Sequence, residues 1–151
     1  MGKRNSVLTG VAGEYYVAAE LSKRGLIASI TLRNTAGVDI LCRDGRSNKG
    51  IGIQVKTASG KAKKWLLNKK CEKHSAKDLF YIFVSLKGSD EAPDFYIVPS
   101  RSVANYCTKG HKEWLSTPGK NKHVRRDTDL RQFRDPKQKY KGKWDLLGFK
   151  L

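Results

Sequence analysis

The chain has 151 residues and a mass of 17.0 kDa, a size that suits one domain around one hydrophobic core. Its 31 lysines and arginines stand against 14 acids, for a formal net charge of +17 and a pI near 10.0. Self-repulsion at that charge costs stability, and the usual compensation is a polyanion, above all nucleic acid. A hydrophobic content of 38% argues against wholesale disorder.

In chain order, Asn5 or Ser6 caps a predicted helix that runs to about Arg24, with Gly25 as its stop. Strand-like runs follow at 27–33, 37–43 and 51–57, and the turn-rich DGRSNKG between the last two predicts an antiparallel hairpin. Residues 61–77 hold seven lysines against one acid, Glu72; within them Trp65-Leu66-Leu67 reads as a short core strand, and 69–77 stays ambiguous. LFYIFVSL at 79–86 is the longest apolar run, of strand length and far too short to cross a membrane as a helix. DFYIV at 94–98 predicts another strand, ended by Pro99, and Ser100 is expected to cap a helix to about Leu115. Residues 109–143 hold twelve basic residues against four acids; 117–143 reads as a basic, turn-rich and mobile segment, and WDLLGFKL as a tail apolar enough to dock. Nothing suggests a repeat or a second domain, so 1–151 reads as a single mixed α/β domain, a central mixed sheet flanked by helices.

Three cysteines (42, 71 and 107) show no CxxC spacing, and His74, His111 and His123 show no ligand spacing. The cysteines read as core or surface thiols of a reducing, cytoplasmic protein with no membrane partner. Each histidine reads as a surface residue.

Chemistry concentrates in the first third. On the first helix, Val7, Val11, Ala18 and Leu21 form an apolar stripe at three- and four-residue spacing, and Glu14 falls within it. A carboxylate there is costly unless a charge meets it, whereas Glu20 sits with Lys23 and Arg24 on the polar side. In IGIQVKT, Gln54 and Lys56 alternate with Ile51, Ile53 and Val55, so the amide and the ammonium share a face. A hairpin centred near Ser47 pairs residues whose numbers sum to about 94, which sets Asp39 opposite Val55 and beside both. Such a set suits phosphodiester hydrolysis. Carboxylate oxygens hold a divalent ion, and a lysine orients water or neutralises charge on phosphorus. Gly10 and Gly13 inside the helix each cost about 1 kcal/mol relative to alanine; close approach of a strand or phosphate backbone and a poorly optimised helix explain them equally well.

Gly13-Glu14 on an N-terminal helix, then Gly37-Val38-Asp39-Ile40-Leu41, then Ile53-Gln54-Val55-Lys56-Thr57, resembles the PD-(D/E)XK nuclease superfamily, with its restriction-endonuclease-like core. The likeness is greatest to small endonuclease-like proteins near the Holliday-junction-resolvase and methylated-DNA-restriction branches. It covers residues 6–57 well and 79–106 loosely. The resemblance implies that Glu14 and Asp39 bind metal, that Gln54 stands where the family pattern has an acid, and that Lys56 activates water. An amide oxygen can coordinate Mg²⁺ but brings no charge. The expectation is a Mg²⁺- or Mn²⁺-dependent endonuclease acting as a homodimer on DNA, branched or modified DNA included, with RNA an open alternative. The competing expectation is a catalytically silent nucleic-acid-binding module that keeps the fold. Phosphate contacts are expected from Lys61, Lys63, Lys64, Lys69, Lys70, Arg125, Arg126 and Arg131.

Overall fold

The computed structural model describes residues 5–32, 37–60 and 63–151. Helix α1 spans Ser6–Lys23. Its first turn is capped by the Asn5 side chain, which accepts the Val7 N–H at 2.8 Å, and Gly25 ends it with φ at +78°. Strands β1 (Leu26–Ile30), β2 (Ile40–Asp44), β3 (Gly50–Ser59), β4 (Lys64–Asn68), β5 (Leu79–Leu86) and β6 (Asp94–Pro99) follow, then helix α2 (Ser100–Ser116) and strand β7 (Leu130–Arg134).

Five strands form one mixed sheet in the order β1-β2-β3-β5-β6, parallel only where β3 meets β5. Strands β4 and β7 pair in a separate two-stranded ribbon. One sheet face, carrying Ile51, Ile53, Val55, Ile82 and Val84, packs on Val17 and Leu21 of α1. The other, carrying Tyr81, Phe83, Tyr96 and Val98, packs on Trp65 and Leu67 of β4, Phe133 of β7, and Val103 and Cys107 of α2. Both faces of β5 are therefore covered, and all eight of its residues are buried. Trp65 is a core residue, its Nε1 donating to the Val84 carbonyl at 2.9 Å. The C-terminal segment docks on the α1 side through Trp144, Leu147 and Phe149, with the Arg24 guanidinium 4.2 Å above the Trp144 ring. Among the described residues, no helix is long and apolar enough to cross a membrane.

Three expectations need correction. The buried face of α1 is Thr9, Gly13, Val17 and Leu21; of the expected stripe Leu21 is buried and Ala18 packs partly buried against the core, but Val7 is exposed, as are Leu8 and Tyr15 beside it, and Glu14 is half-buried. Gly13 explains the rotation. A Cβ at that position would collide with Thr57 of β3, so the helix turns its smallest residue to the sheet to approach closely. Ser100 does not cap α2: its hydroxyl donates to the Ala76 carbonyl at 2.9 Å and accepts the Ala76 N–H at 3.0 Å, and Pro99 holds the cap position without a side-chain bond. The turn-rich reading of 117–143 misses β7, because that strand inverts the usual polarity. Its Leu130 is exposed while Arg131 and Phe133 are buried.

Close approach at Gly13 contrasts with open space around Gly10, where a Cβ meets nothing within 4 Å. Gly10→Ala should therefore stabilise the protein by up to about 1 kcal/mol through helix propensity. Gly13→Ala should destabilise it by about 1–3 kcal/mol through overpacking, with partial recovery when Thr57→Ala is added. Urea denaturation of the three variants checks this, and equal effects at both glycines would refute it.

Candidate active site

Strand β3 runs ten residues, but its ladder with β2 covers only Gly50–Ile53, from Arg43↔Gly50 to Ile40↔Ile53. These pairs sum to 93, one less than expected. The shift matters because a one-residue change in register exchanges the two faces. It sets Ile40 opposite Ile53 and Cys42 opposite Ile51, on the face that packs on α1. The ladder ends there, so Asp39 is tied to β3 by hydrogen bonds rather than by register.

Beyond that point β2 and β3 part, and Asp39 holds the fork. Its backbone N–H donates to the Ile53 carbonyl at 2.8 Å, while its carboxylate Oδ2 accepts the Val55 N–H at 2.7 Å. The side chain thereby replaces the backbone acceptor that a continuing β2 would supply. Its other flank is fixed to the end of β1. There Thr31 N–H donates to the Asp39 carbonyl at 2.9 Å, and Thr31 Oγ1 donates to the Val38 carbonyl at 2.7 Å.

Gln54 and Lys56 line a cleft of about 290 Å³ with Gly37, Asn68, Lys70 and His74. Its floor is Tyr81, which pairs with Gln54 across the parallel β3–β5 ladder. Burial, and then the charges of its neighbours, Asp39 among them, push the Tyr81 hydroxyl well above its ordinary pKa, so it stays a neutral donor. Gly37 has φ at +72°, and its missing side chain leaves room for the His74 ring. The loop before Asp39 and the turn after β4 thus meet over the cleft.

Of the four predicted site residues, Gln54 and Lys56 line the cleft, and Asp39 is bonded through its carboxylate to the N–H of Val55 between them; all three are half-buried. Glu14 comes from the helix on the opposite face, directly after the Gly13 contact with Thr57, at the end of β3 that has left β2. Among the described residues, no three His, Cys, Asp or Glu side chains group as a metal cage. What this region offers a divalent ion is the Gln54 amide oxygen in the cleft and the Asp39 carboxylate bonded to the neighbouring Val55 N–H. That donor set fits an ion such as Mg²⁺, which commonly takes one or two carboxylates and completes its shell with water and substrate phosphate.

His74 and Tyr81 were not foreseen as cleft residues, since both come from segments distant in the chain. The parity of β5 would have found Tyr81, but only once its parallel register with β3 was known.

Of the residues expected to contact phosphate, Lys63, Lys64, Lys69 and Lys70 are exposed, Lys70 at the cleft itself, although Lys69 is paired with Asp129 at 2.7 Å. Lys61 lies outside the described residues. Arg126 is exposed, whereas Arg125 lies against Trp114, its guanidinium 4.9 Å from the ring. Arg131 is the exception to the phosphate-contact expectation. It is buried, and its guanidinium is taken up by Glu72 and by the carbonyls of Thr128 and Leu130. A charge so enclosed positions β7 against the turn after β4 and offers nothing to a phosphate.

No protein-family model matches the sequence, and no curated protein resembles it closely enough to count as a relative. Among solved structures, the bacterial homing endonuclease I-Ssp6803I is similar, with a TM-score of 0.51 and 19% identity over 97% of this chain and 92% of that one. At that identity the likeness concerns the fold: a mixed sheet flanked by helices, as in this nuclease.

The bond from the Val55 N–H to Asp39 can be tested apart from the charge of the carboxylate. Asp39→Ala should leave the Val55 N–H without its acceptor and cost about 1.5–3 kcal/mol. Asp39→Asn keeps an oxygen at that position and should lie within about 1 kcal/mol of the wild type. Chemical denaturation compares them, and equal losses in the two variants would refute the assigned bond.

Proposed function

We propose that the protein is a divalent-metal-dependent endonuclease of PD-(D/E)XK type that hydrolyses DNA phosphodiester bonds, with branched or modified DNA as the favoured substrate class. The observation that carries this reading is the Asp39 carboxylate held on the Val55 N–H at the fork between β2 and β3, with Gln54 and Lys56 on either side of Val55 lining one cleft. Support comes from the net charge of +17 and from the likeness in fold to a homing endonuclease.

In this reading Asp39 and Gln54 hold the ion, with Glu14 as the second carboxylate at the end of β3. A bound Mg²⁺ or Mn²⁺ would supply polarisation of the scissile phosphate and a lowered pKa for an attacking water. Lys56, two residues beyond Gln54 on the same face, orients that water and offsets the negative charge that grows on the phosphoryl oxygens. Tyr81, held neutral, donates a hydrogen bond into the cleft. Exposed lysines at 63, 64 and 70 hold the backbone of the substrate by charge, without reading its sequence. One site per chain cuts one strand, so a homodimer suits a double-strand break.

A second reading has its own observation. Gln54 removes a charge that the family pattern supplies, and a weakened ion site suits a nucleic-acid-binding module that no longer cuts.

Cleavage of supercoiled plasmid and of four-way-junction DNA with Mg²⁺ or Mn²⁺ decides between them. The nuclease reading predicts metal-dependent nicking that falls about a hundredfold or more in Lys56→Ala and Asp39→Asn. It also predicts that Gln54→Glu at least preserves the rate and lowers the metal concentration required. Absence of cleavage under every metal, with DNA binding intact, would leave the silent module.

A further inference from the structure

The exposed side of α2 carries an unusual gap. Tyr106, Gly110 and Trp114 recur every fourth residue and so form one stripe. The glycine leaves a slot between two aromatic side chains, Tyr106 being 41% and Trp114 38% exposed. A glycine in a helix interior costs about 1 kcal/mol, and packing does not explain this one: a Cβ at Gly110 would meet nothing within 4 Å. The slot opens into a cavity of about 260 Å³ whose far wall is Leu130 and Gln132 of β7.

Its walls are braced. Tyr106 rests on the buried Phe133 ring at a centroid distance of 4.9 Å. Trp114 is stacked by His111 at 5.5 Å, and Arg125 both lies over its ring at 4.9 Å and donates to its carbonyl at 3.0 Å. His111 is fixed in turn by Asp127 at 2.7 Å. Polar edges come from Thr128 and Gln132, both exposed, and the surroundings are basic, with exposed Lys109, Lys112 and Arg126.

Rigid aromatic walls, an amide at the rim and cations outside are what an unpaired base on a phosphate backbone requires. We propose that the Tyr106–Gly110–Trp114 slot is a binding site for a single unpaired nucleobase of a nucleic-acid strand, separate from the Gln54–Lys56 cleft. The cavity lies just below the usual size of a small-molecule pocket, about 300 Å³, and suits one ring system. In a paired duplex the bases are stacked on one another and cannot enter, so the slot favours single-stranded, bulged or junction DNA. This rests on the nucleic-acid reading above, but not on metal or cleavage.

The test is binding in EDTA, so that the outcome is independent of catalysis. Trp65 and Trp144 are buried, at 1% and 8% exposure, which makes Trp114 the tryptophan that an incoming base can quench. A duplex with one extrahelical adenosine and a poly-dT single strand should quench the fluorescence and bind about tenfold more tightly than the fully paired duplex of equal length. Gly110→Leu fills the slot and strengthens the helix, so it should fold; it should abolish both the quenching and the tenfold preference while leaving paired-duplex binding unchanged. Gly110→Ala should give an intermediate loss. Equal binding of bulged and paired DNA, or a Gly110→Leu protein that keeps the preference, would overturn the proposal. Saturation by free AMP at the same concentrations would overturn it too, by identifying a free nucleotide as the occupant. Loss of all DNA binding by the wild type would instead sink the nucleic-acid reading itself, and the slot with it. Failure of cleavage alone touches only the nuclease reading.

Discussion

The site depends on a single hydrogen bond, from the Val55 N–H to the carboxylate of Asp39. Strands β2 and β3 are paired up to Ile40↔Ile53 and then separate, because β3 continues alongside β5 to Ser59 while the chain before Ile40 is tied to Thr31. A backbone N–H left at such a fork would be unpaired and costly. The Asp39 side chain satisfies it, and in doing so its carboxylate is fixed beside the face that carries Gln54 and Lys56. One oxygen of Asp39 thereby serves the fold directly.

The remainder of the domain serves to hold that fork open and covered. Close contact of α1 at Gly13 with Thr57 presses on the part of β3 that has left β2. The β4–β7 ribbon covers the other face, and its own anchor is the enclosed Arg131–Glu72 pair. Between these layers β5 is buried throughout, which gives the parallel pair with β3 a rigid backing. The cleft therefore sits where sheet, loop and ribbon meet, lined by Gln54 and Lys56, with the Asp39 carboxylate fixed on the Val55 N–H beside it.

Much of this was legible in the sequence, and the failures have physical causes. The ends of α1 followed from Asn5 and Gly25, and the hairpin followed from DGRSNKG. The alternation of IGIQVKT placed Gln54 and Lys56 on one side because a strand leaves no other choice. The face of α1 was misread because periodicity weighs hydrophobicity alone, whereas the helix chose its side by the size of Gly13 against Thr57, a contact between distant segments. Strand β7 escaped because its inward positions are Arg131 and Phe133, and a buried arginine reads as surface until Glu72 is seen beside it. The register came out one short, which sets Ile40 opposite Ile53 rather than Gln54.

Ion binding tests the central claim more directly than turnover does. Mn²⁺ titrated by electron paramagnetic resonance, with and without a short DNA duplex, reports whether Asp39 and Gln54 hold a cation that phosphate completes. A weak site in the free protein should tighten at least tenfold with DNA and disappear in Asp39→Asn, a variant expected to stay folded. Mn²⁺ binding that is absent in both conditions, or unchanged in Asp39→Asn, would contradict the claim.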